Sequence, residues 1–151
     1  MNDGSTMLRL DNQLCFALYA SSRAITGLYR PLLESLGLTY PQYLVMLVLW
    51  ESDTRSVRDL GSTLLLDSGT LTPLLKRLEK QGLVRRGRCT DDERVVMVSL
   101  TPAGKYLKAR ARQVPKKIAC GLGFSRDRVI RLRGELRTIL SKLSSGKALD
   151  S

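Results

Sequence analysis

The sequence predicts a mainly α-helical fold with one β-hairpin, and residues 66–94 carry the main evidence. Asp67 and Ser68 can cap a helix start, and four leucines then recur at helical spacing on one face. These leucines are Leu71, Leu74, Leu75 and Leu78. Gly82 ends the helix as a C-terminal capping residue does, and a basic strand begins at Val84. A helix with an apolar inner face, followed by a basic hairpin, is typical of a DNA-binding winged helix-turn-helix.

The opposite face of this helix carries the candidate DNA contacts. They are Ser68, Gly69, Thr70, Thr72, Lys76 and Arg77. Hydroxyl groups suit base edges or phosphates, and the two cations suit phosphates. Four further cations could contact DNA directly, or could contribute only to solubility and to the positive electrostatic field of the protein. They are Lys80, Arg85, Arg86 and Arg88. These residues alone also leave open an ordinary solvent-exposed helix and hairpin.

A long helix is predicted before this module, because apolar residues recur at three- to four-residue steps over residues 10–36. Asp11 or Asn12 could cap its start. Pro31 is expected to kink the helix or to begin a second segment, and Gly37 to end it.

Two more helices precede the helix over residues 67–82, which we call the reading helix because it carries the candidate DNA contacts. Residues 40–51 are apolar almost all round and predict a buried helix, with Pro41 near its first turn. Ser56 with Asp59 forms the pattern of a capping box that opens a short helix to Leu64. That helix and the one after Asp67 would form the helix-turn-helix.

Helices also follow the hairpin. Residues 101–104 open one that is predicted to run toward Ile118, and residues 121–123 break it. Ser125 caps a last, very basic helix to Leu143, followed by a frayed tail over 144–151. No repeat or long linker divides the chain, so residues 1–151 are expected to form a single domain.

Charge is distributed unevenly along the 151 residues, whose net charge is +11. Residues 1–52 hold three basic and four acidic side chains, whereas residues 53–151 hold 22 and ten. This asymmetry favours a polyanion partner. The longest apolar run, residues 44–50, is too short to span a bilayer, so nucleic acid fits better than membrane. No secretory leader is recognised, and three cysteines do not make a disulfide framework. A cytoplasmic protein with reduced thiols is expected.

The composition argues against an enzyme. The chain contains no histidine, which excludes Ser-His-Asp and Cys-His nucleophile pairs and His-ligated zinc. It also lacks a Cys-x-x-Cys pair and the glycine-rich phosphate loops. No cofactor and no metal site are expected.

A cysteine and a group of tyrosines form a second cluster of interest. Cys15 lies about one turn into its predicted helix, where unpaired N–H groups favour a thiolate. Tyr19 follows four residues later on the same face, and four of the five tyrosines fall between residues 19 and 43. From the residues alone, a small core cysteine with packing tyrosines is the alternative.

Several segments resemble the MarR family of bacterial winged-helix regulators, and the match covers nearly the whole chain. They are Leu60, the helix over 67–82, Asp92-Glu93-Arg94, and Leu100-Thr101-Pro102-Ala103-Gly104. Within that family, residues 10–19, 38–47 and 71–79 are similar to the organic hydroperoxide-sensing repressors.

The resemblance implies roles for individual residues. Cys15 corresponds to the family's peroxide-reactive cysteine, Tyr29 and Tyr40 to its hydrogen-bonding tyrosines, and Tyr19 to a tyrosine near the thiol. Cys120 is positioned like the resolving cysteine of the two-cysteine members, with a spare thiol as the alternative.

The resemblance also implies how the chain assembles and binds DNA. Arg94, held by Asp92, would enter the minor groove as the family's wing arginine does. Helices over 10–36 and 103–143 would form a homodimer, and residues 54–100 the winged helix-turn-helix. Cys89, at the hairpin tip, is expected to be exposed and is given no role.

Helix geometry adds a reason for dimerisation. Tyr29 lies fourteen residues after Cys15, roughly 21 Å along a straight helix. It can therefore reach a Cys15 thiol only in a second subunit, unless the helix folds back. An apolar wall suited to alkyl or lipid hydroperoxides could come from four residues that are otherwise ordinary core: Phe16, Leu18, Met46 and Trp50.

Together these features predict a homodimeric repressor of a pseudopalindromic operator whose half-sites lie roughly 34 Å apart. Organic hydroperoxide would oxidise Cys15, Cys120 of the other subunit would form a disulfide with it, and the DNA would be released. Three alternatives remain: a repressor that responds to a small phenolic or anionic ligand, a thiol peroxidase, and a non-specific architectural DNA binder.

Overall fold

A computed structural model describes residues 4–144 of the chain, with side chains from residue 6 onward. The chain divides into two compact units, residues 1–116 and residues 117–151. The first unit contains the whole candidate DNA-binding module. The predicted tail over 144–151 lies outside the described residues from residue 145 onward.

Helices dominate the described residues. They are α1 (Gly4–Met7), α2 (Leu14–Glu34), α3 (Tyr40–Ser52), α4 (Val57–Leu64), α5 (Ser68–Lys80), α6 (Pro102–Ala111), α7 (Val114–Leu122) and α8 (Arg126–Ser144). A short 3₁₀ turn, Leu10–Asn12, precedes α2. The strands are β1 (Thr54–Ser56), β2 (Val84–Arg88) and β3 (Val96–Leu100).

The predicted hairpin is part of a three-stranded antiparallel sheet. Its order is β1-β3-β2, with Thr54 opposite Ser99 and Val84 opposite Leu100. β1 was not predicted, because three residues are too short to show an alternating pattern. Arg94 lies in the turn between β2 and β3 rather than in the returning strand.

The core of the first unit lies where α3, α4 and α5 meet the sheet. Leu49, Leu60, Leu78 and Val98 have no exposed surface. The burial of α3 confirms the prediction for residues 40–51. At its start Gln42 Oε1 accepts a hydrogen bond from the Thr39 N–H, and at the start of α4 Ser56 Oγ accepts one from the Asp59 N–H. The apolar face of α5 is also confirmed, although Leu74 is only half-buried.

A close backbone approach anchors α6 against the rest of this core. Trp50 Nε1 donates a buried hydrogen bond to Gly104 O at 2.9 Å. A Cβ at Gly104 would overlap the carbonyl oxygen of Leu83. Only glycine allows the two segments to lie this close.

The structure corrects the predicted course of α2. The helix is continuous from Leu14 through Pro31 to Glu34, so no second segment begins at the proline. The residue four positions before Pro31, whose carbonyl a proline ring crowds, is Gly27, and a backbone without Cβ adjusts easily. Asp11 lies in the 3₁₀ turn, and the residue before α2 is Gln13, which makes no side-chain cap.

Two further predictions are corrected. The helix that begins at Pro102 ends at Ala111 rather than near Ile118, because Pro115 lacks the N–H that a continuous helix would need. Cys89 is half-buried, not exposed. Of the four residues considered for an apolar wall or for the core, Met46 and Trp50 are buried in α3, 0% and 7% exposed.

Candidate DNA-binding surface and thiol site

The start of the reading helix α5 is fixed by Asp67. Its Oδ1 accepts a hydrogen bond from the Thr70 N–H at 2.8 Å, and its Oδ2 accepts one from the Thr70 hydroxyl at 3.0 Å. The backbone bond and then the hydroxyl bond hold the pKa of Asp67 below its usual value. The Thr70 hydroxyl proton is therefore used inside the protein, and its oxygen remains available as an acceptor.

The turn between α4 and α5 is tight. Leu65 adopts a left-handed conformation with φ of 55°, and its N–H bonds to Gly61 O. A Cβ at Gly61 would lie 2.9 Å from the carbonyl oxygen of Leu66. This close approach sets the relative orientation of the two helices and requires glycine at position 61.

The outer face of α5 is accessible apart from one residue. Ser68, Gly69, Thr70, Lys76 and Arg77 are exposed, whereas Thr72 is half-buried. Thr72 lines a cleft of about 550 Å³ between the start of α4, α5 and the hairpin, together with Arg58, Arg86 and Arg94. Helix start, hydroxyl and guanidinium groups thus converge on one side of the unit, as phosphate binding requires.

Arg94 projects from the hairpin while its base is held in place. The Asp92 carboxylate accepts hydrogen bonds from Arg94 N–H and Nε at 3.0 Å each and from Nη2 at 3.2 Å. The Arg94 side chain is nevertheless 91% exposed. The hydrogen bond from the Arg94 side chain, and then that from its backbone, lower the pKa of Asp92.

A second ion pair ties the hairpin to α5. Glu79 accepts from the Arg86 N–H at 3.0 Å and Nε at 2.8 Å, and lies 2.7 Å from Nη2. The hydrogen bond from the Arg86 side chain, and then that from its backbone, lower the pKa of Glu79. Arg88 Nη1 donates to Glu93 O at 2.8 Å. Two of the four cations of undecided role therefore shape the hairpin. The other two, Lys80 at the end of α5 and Arg85 on β2, are exposed.

Cys15 is a free, exposed thiol at the second residue of α2. Its position is closer to the helix start than the one turn expected, where partial positive charge favours an anion. Phe16 beside it is 42% exposed. Tyr19 is 60% exposed and interacts instead with Arg23, whose guanidinium lies 5.5 Å from the ring centroid and donates to the hydroxyl at 3.4 Å.

The tyrosines near the end of α2 form a cluster. The Tyr29 and Tyr40 ring centroids are 4.9 Å apart, and those of Tyr29 and Tyr43 are 5.9 Å apart. Burial raises the pKa of all three phenols, so at neutral pH each is a hydrogen-bond donor. Tyr43, 3% exposed, was not assigned from the sequence. Its spacing of three residues from Tyr40 was the available signal.

One copy of the chain does not bring Cys15 to Tyr29. Because α2 is continuous, fourteen residues separate them by roughly 21 Å. Cys120 is a free, exposed thiol near the end of α7, just before Gly123 with φ of 62°. Cys89 is also free, and its N–H donates to Val95 O at 2.8 Å within the hairpin.

The end of α2 is connected to the end of α5. Gln81 Nε2, at the end of α5, donates to Gly37 O at 2.8 Å. Arg110 Nη2 on α6 donates to Ser35 O at 2.8 Å. The segment that follows α2 is thereby hydrogen-bonded to the C-terminal cap of α5.

Two kinds of site are absent from residues 4–144. No group of histidine, cysteine, aspartate or glutamate side chains is arranged to hold a metal ion there. No helix in this range has the length and apolar character needed to cross a membrane.

Comparison with known proteins identifies the family. Residues 27–110 match the family model for the SarA/Rot transcriptional regulators. The organic hydroperoxide resistance transcriptional regulator of Bacillus subtilis is 50% identical over 139 residues, covering 90% of this chain and 92% of the relative.

Solved structures of AbfR from Staphylococcus epidermidis share the fold. Reduced AbfR bound to DNA is 37% identical with a TM-score of 0.75, covering 93% of this chain and 99% of that one. The disulfide form of AbfR is 37% identical with a TM-score of 0.63, covering 93% and 96%. These relatives are transcriptional regulators rather than enzymes. The chain therefore belongs to the MarR-type winged-helix transcriptional regulators, in the group described by the SarA/Rot model.

Proposed function

We propose that the chain is a homodimeric repressor that binds its operator when reduced and leaves it when an organic hydroperoxide oxidises Cys15. One observation carries this proposal. The exposed thiol of Cys15 and the phenols of Tyr29 and Tyr40 are held at opposite ends of one continuous helix. A partner subunit can bring them together, and a monomer cannot. The 50% identical hydroperoxide resistance regulator supports the same reading.

Exposed apolar side chains support dimerisation through the terminal helices. Large exposed hydrophobic residues occur on the first half of α2 and along α8. They are Leu14, Phe16, Tyr19, Ile130, Leu132, Ile139, Leu140 and Leu143. Burial of such residues stabilises association by about 25 cal/mol per Å² of apolar surface removed from water.

DNA binding would use α5 in the major groove and the hairpin in the minor groove. The structure of reduced AbfR bound to DNA supports DNA binding by similarity. Ser68, Thr70 and Thr72 would contact base edges or phosphates, Lys76 and Arg77 phosphates, and Arg94 the minor groove.

Oxidation of Cys15 would take place in two steps, sulfenic acid formation and then disulfide formation. The Cys15 thiolate attacks the terminal peroxide oxygen, the O–O bond breaks, and the alcohol leaves after protonation, so the sulfur becomes a sulfenic acid. The Cys120 thiol of the other subunit then attacks that sulfur, a disulfide forms, and water leaves. The disulfide form of AbfR shows that a similar protein undergoes disulfide formation.

Release of DNA would follow from the geometry of the disulfide. The bond requires the two Cα atoms to lie within about 7 Å, so a wider separation in the reduced dimer would force α2 to move. The hydrogen bond from Gln81 to Gly37 would carry that movement to the end of α5, and the one from Arg110 to Ser35 would carry it to α6. Cellular thiols would restore the reduced form.

The test is operator binding with and without an organic hydroperoxide, for wild type and Cys15→Ser. Wild type should release DNA and run as a covalent dimer on a non-reducing gel, while Cys15→Ser should remain bound. A Cys15→Ser protein that still released DNA would refute the sensor. Release by a phenolic ligand without oxidation would favour the ligand-responsive alternative, and multiple turnover of peroxide would favour a thiol peroxidase.

A further inference from the structure

A cleft of about 500 Å³ lies between α2 and the start of α3, and none of the roles above uses it. It is lined by Arg23, Thr26, Gly27, Arg30, Leu33, Glu34, Leu38, Thr39 and Tyr40. This volume falls within the range of small-molecule sites, roughly 300 to 1,000 Å³. All lining residues belong to the first compact unit.

The charge of the cleft favours an anion. Arg23 and Arg30 lie seven residues apart on one face of α2, roughly 10 Å along the helix axis. Within residues 6–144, neither guanidinium forms an ion pair with an acidic side chain. The Arg23 guanidinium also donates to the Tyr19 hydroxyl at 3.4 Å, a neutral partner that leaves its charge uncompensated. Glu34 also lines the cleft, which leaves one net positive charge among the lining residues. Guanidinium groups bind carboxylates through paired hydrogen bonds.

Gly27 keeps the cleft open. It lies inside α2, where glycine lowers helix stability relative to alanine. Its position four residues before Pro31 helps to keep the helix continuous, and a Cβ built there meets no atom within 4 Å, so the space beside it is open. A larger side chain would extend into the space between the two guanidiniums.

The cleft has an apolar floor and opens beside the tyrosine cluster. Leu33 and Leu38 are buried, 1% and 5% exposed. Tyr40 lines the cleft, and its ring lies 4.9 Å from that of Tyr29. A molecule with a carboxylate near Arg23 or Arg30 and an acyl chain over the leucines would therefore extend toward the phenols proposed to face the partner's thiol.

We propose that this cleft binds the carboxylate of the inducer, so that the sensor prefers hydroperoxides of fatty acids to neutral alkyl hydroperoxides. The proposal rests on the proposed peroxide-sensing function. Arg23 and Arg30 act as specificity residues for the anionic end. Glu34 opposes anion binding by its own charge.

The test compares an oleic acid hydroperoxide with its methyl ester on the reduced, full-length protein, with Cys15 sulfenic acid trapped over time. Wild type should react about tenfold or more faster with the acid, as expected for one hydrogen-bonded ion pair. Arg30→Gln should lose this preference while its rate with the ester stays unchanged. Lys116→Gln, an exposed residue outside the cleft, removes the same charge and should keep the preference.

Two further variants act in opposite directions. Gly27→Leu should block the cleft and abolish the preference, whereas Glu34→Gln should increase it. Equal rates with acid and ester in wild type, or an undiminished preference in Arg30→Gln, would overturn the proposal.

Binding without oxidation separates this proposal from the sensor itself. Calorimetric titration with oleate should show binding to wild type, and weaker binding to Arg30→Gln. No binding, or equal binding to both, would overturn the cleft assignment. If Cys15 reacted with no hydroperoxide, including tert-butyl hydroperoxide, the proposed function would be refuted. The oleate titration would then still show whether the cleft binds a carboxylate.

Discussion

Replacing Arg94 by alanine tests the role of the hairpin most directly. The side chain is 91% exposed and its hydrogen bonds go to Asp92, so its removal leaves the core intact. We expect a change in unfolding free energy within about 0.5 kcal/mol. Loss of a DNA contact costs about 1–3 kcal/mol per hairpin. With two hairpins per dimer the operator Kd should rise about 30-fold to 10⁴-fold.

Fluorescence anisotropy on operator DNA over a series of salt concentrations would measure this change. Lys116→Ala removes an equal charge from an exposed position outside the reading surface and should have little effect on affinity. Asp92→Asn should cause a smaller loss than Arg94→Ala, because the guanidinium remains but is less well ordered. A Kd for Arg94→Ala equal to that of Lys116→Ala would refute the assignment of the hairpin.

The pKa of Asp92 fixes the expected pH dependence of this contact. The Arg94 hydrogen bonds lower that pKa, so the Asp92 carboxylate stays ionised even at the pH where an ordinary aspartate begins to protonate. It becomes protonated only as the pH falls through the lowered pKa. The contribution of Arg94, measured as the ratio of wild-type to Arg94→Ala affinity, should therefore be constant from neutral to mildly acidic pH. A ratio that already falls near neutral pH would contradict the proposal that Asp92 holds Arg94 in place for DNA binding.

Four other substitutions separate the chemistry of the thiol site from the stability of the fold. Cys120→Ser should still form sulfenic acid at Cys15, detected by a trapping reagent, but give no covalent dimer on a non-reducing gel. Tyr29→Phe should slow alkylation of Cys15 at neutral pH, since one hydrogen-bond donor to the thiolate is lost; an unchanged rate would remove Tyr29 from the site. Gly104→Ala should lower the thermal unfolding midpoint, because overlap with a backbone carbonyl costs about 1–3 kcal/mol and outweighs about 1 kcal/mol of helix propensity. Gly134→Ala, inside α8 and in open space, should raise the midpoint, and the same sign for both glycines would refute this reasoning.

The sequence predicted the elements whose evidence is local. The cap at Asp67, the leucine face of α5 and the glycine at position 82 all follow from spacing within one helix, and the structure confirms this helix. β1 was not predicted, because its three residues form a strand only through pairing with β3, in which Thr54 lies opposite Ser99. Propensity alone could not show this, since the partner is 45 residues away.

Interactions between elements account for the remaining differences. The role of Arg86 depends on Glu79, which lies on another element and reaches it only in the folded chain. The half-burial of Thr72 likewise depends on the cleft formed with the hairpin. Pro31 was expected from its own chemistry to kink α2 or to begin a second segment. The helix instead continues through it, and the carbonyl that the proline ring crowds belongs to a glycine four residues earlier.

The uninterrupted course of α2 has a consequence for how the sensor would respond to its own abundance. A stiff helix fixes the thiol and the phenols of one copy roughly 21 Å apart, so a complete peroxide site would exist only while two copies are associated. Mass action then governs detection as well as repression. Dilution below the dissociation constant of the dimer would remove DNA binding and peroxide reactivity together, and a subunit newly released from the ribosome would be insensitive to peroxide until it met a partner.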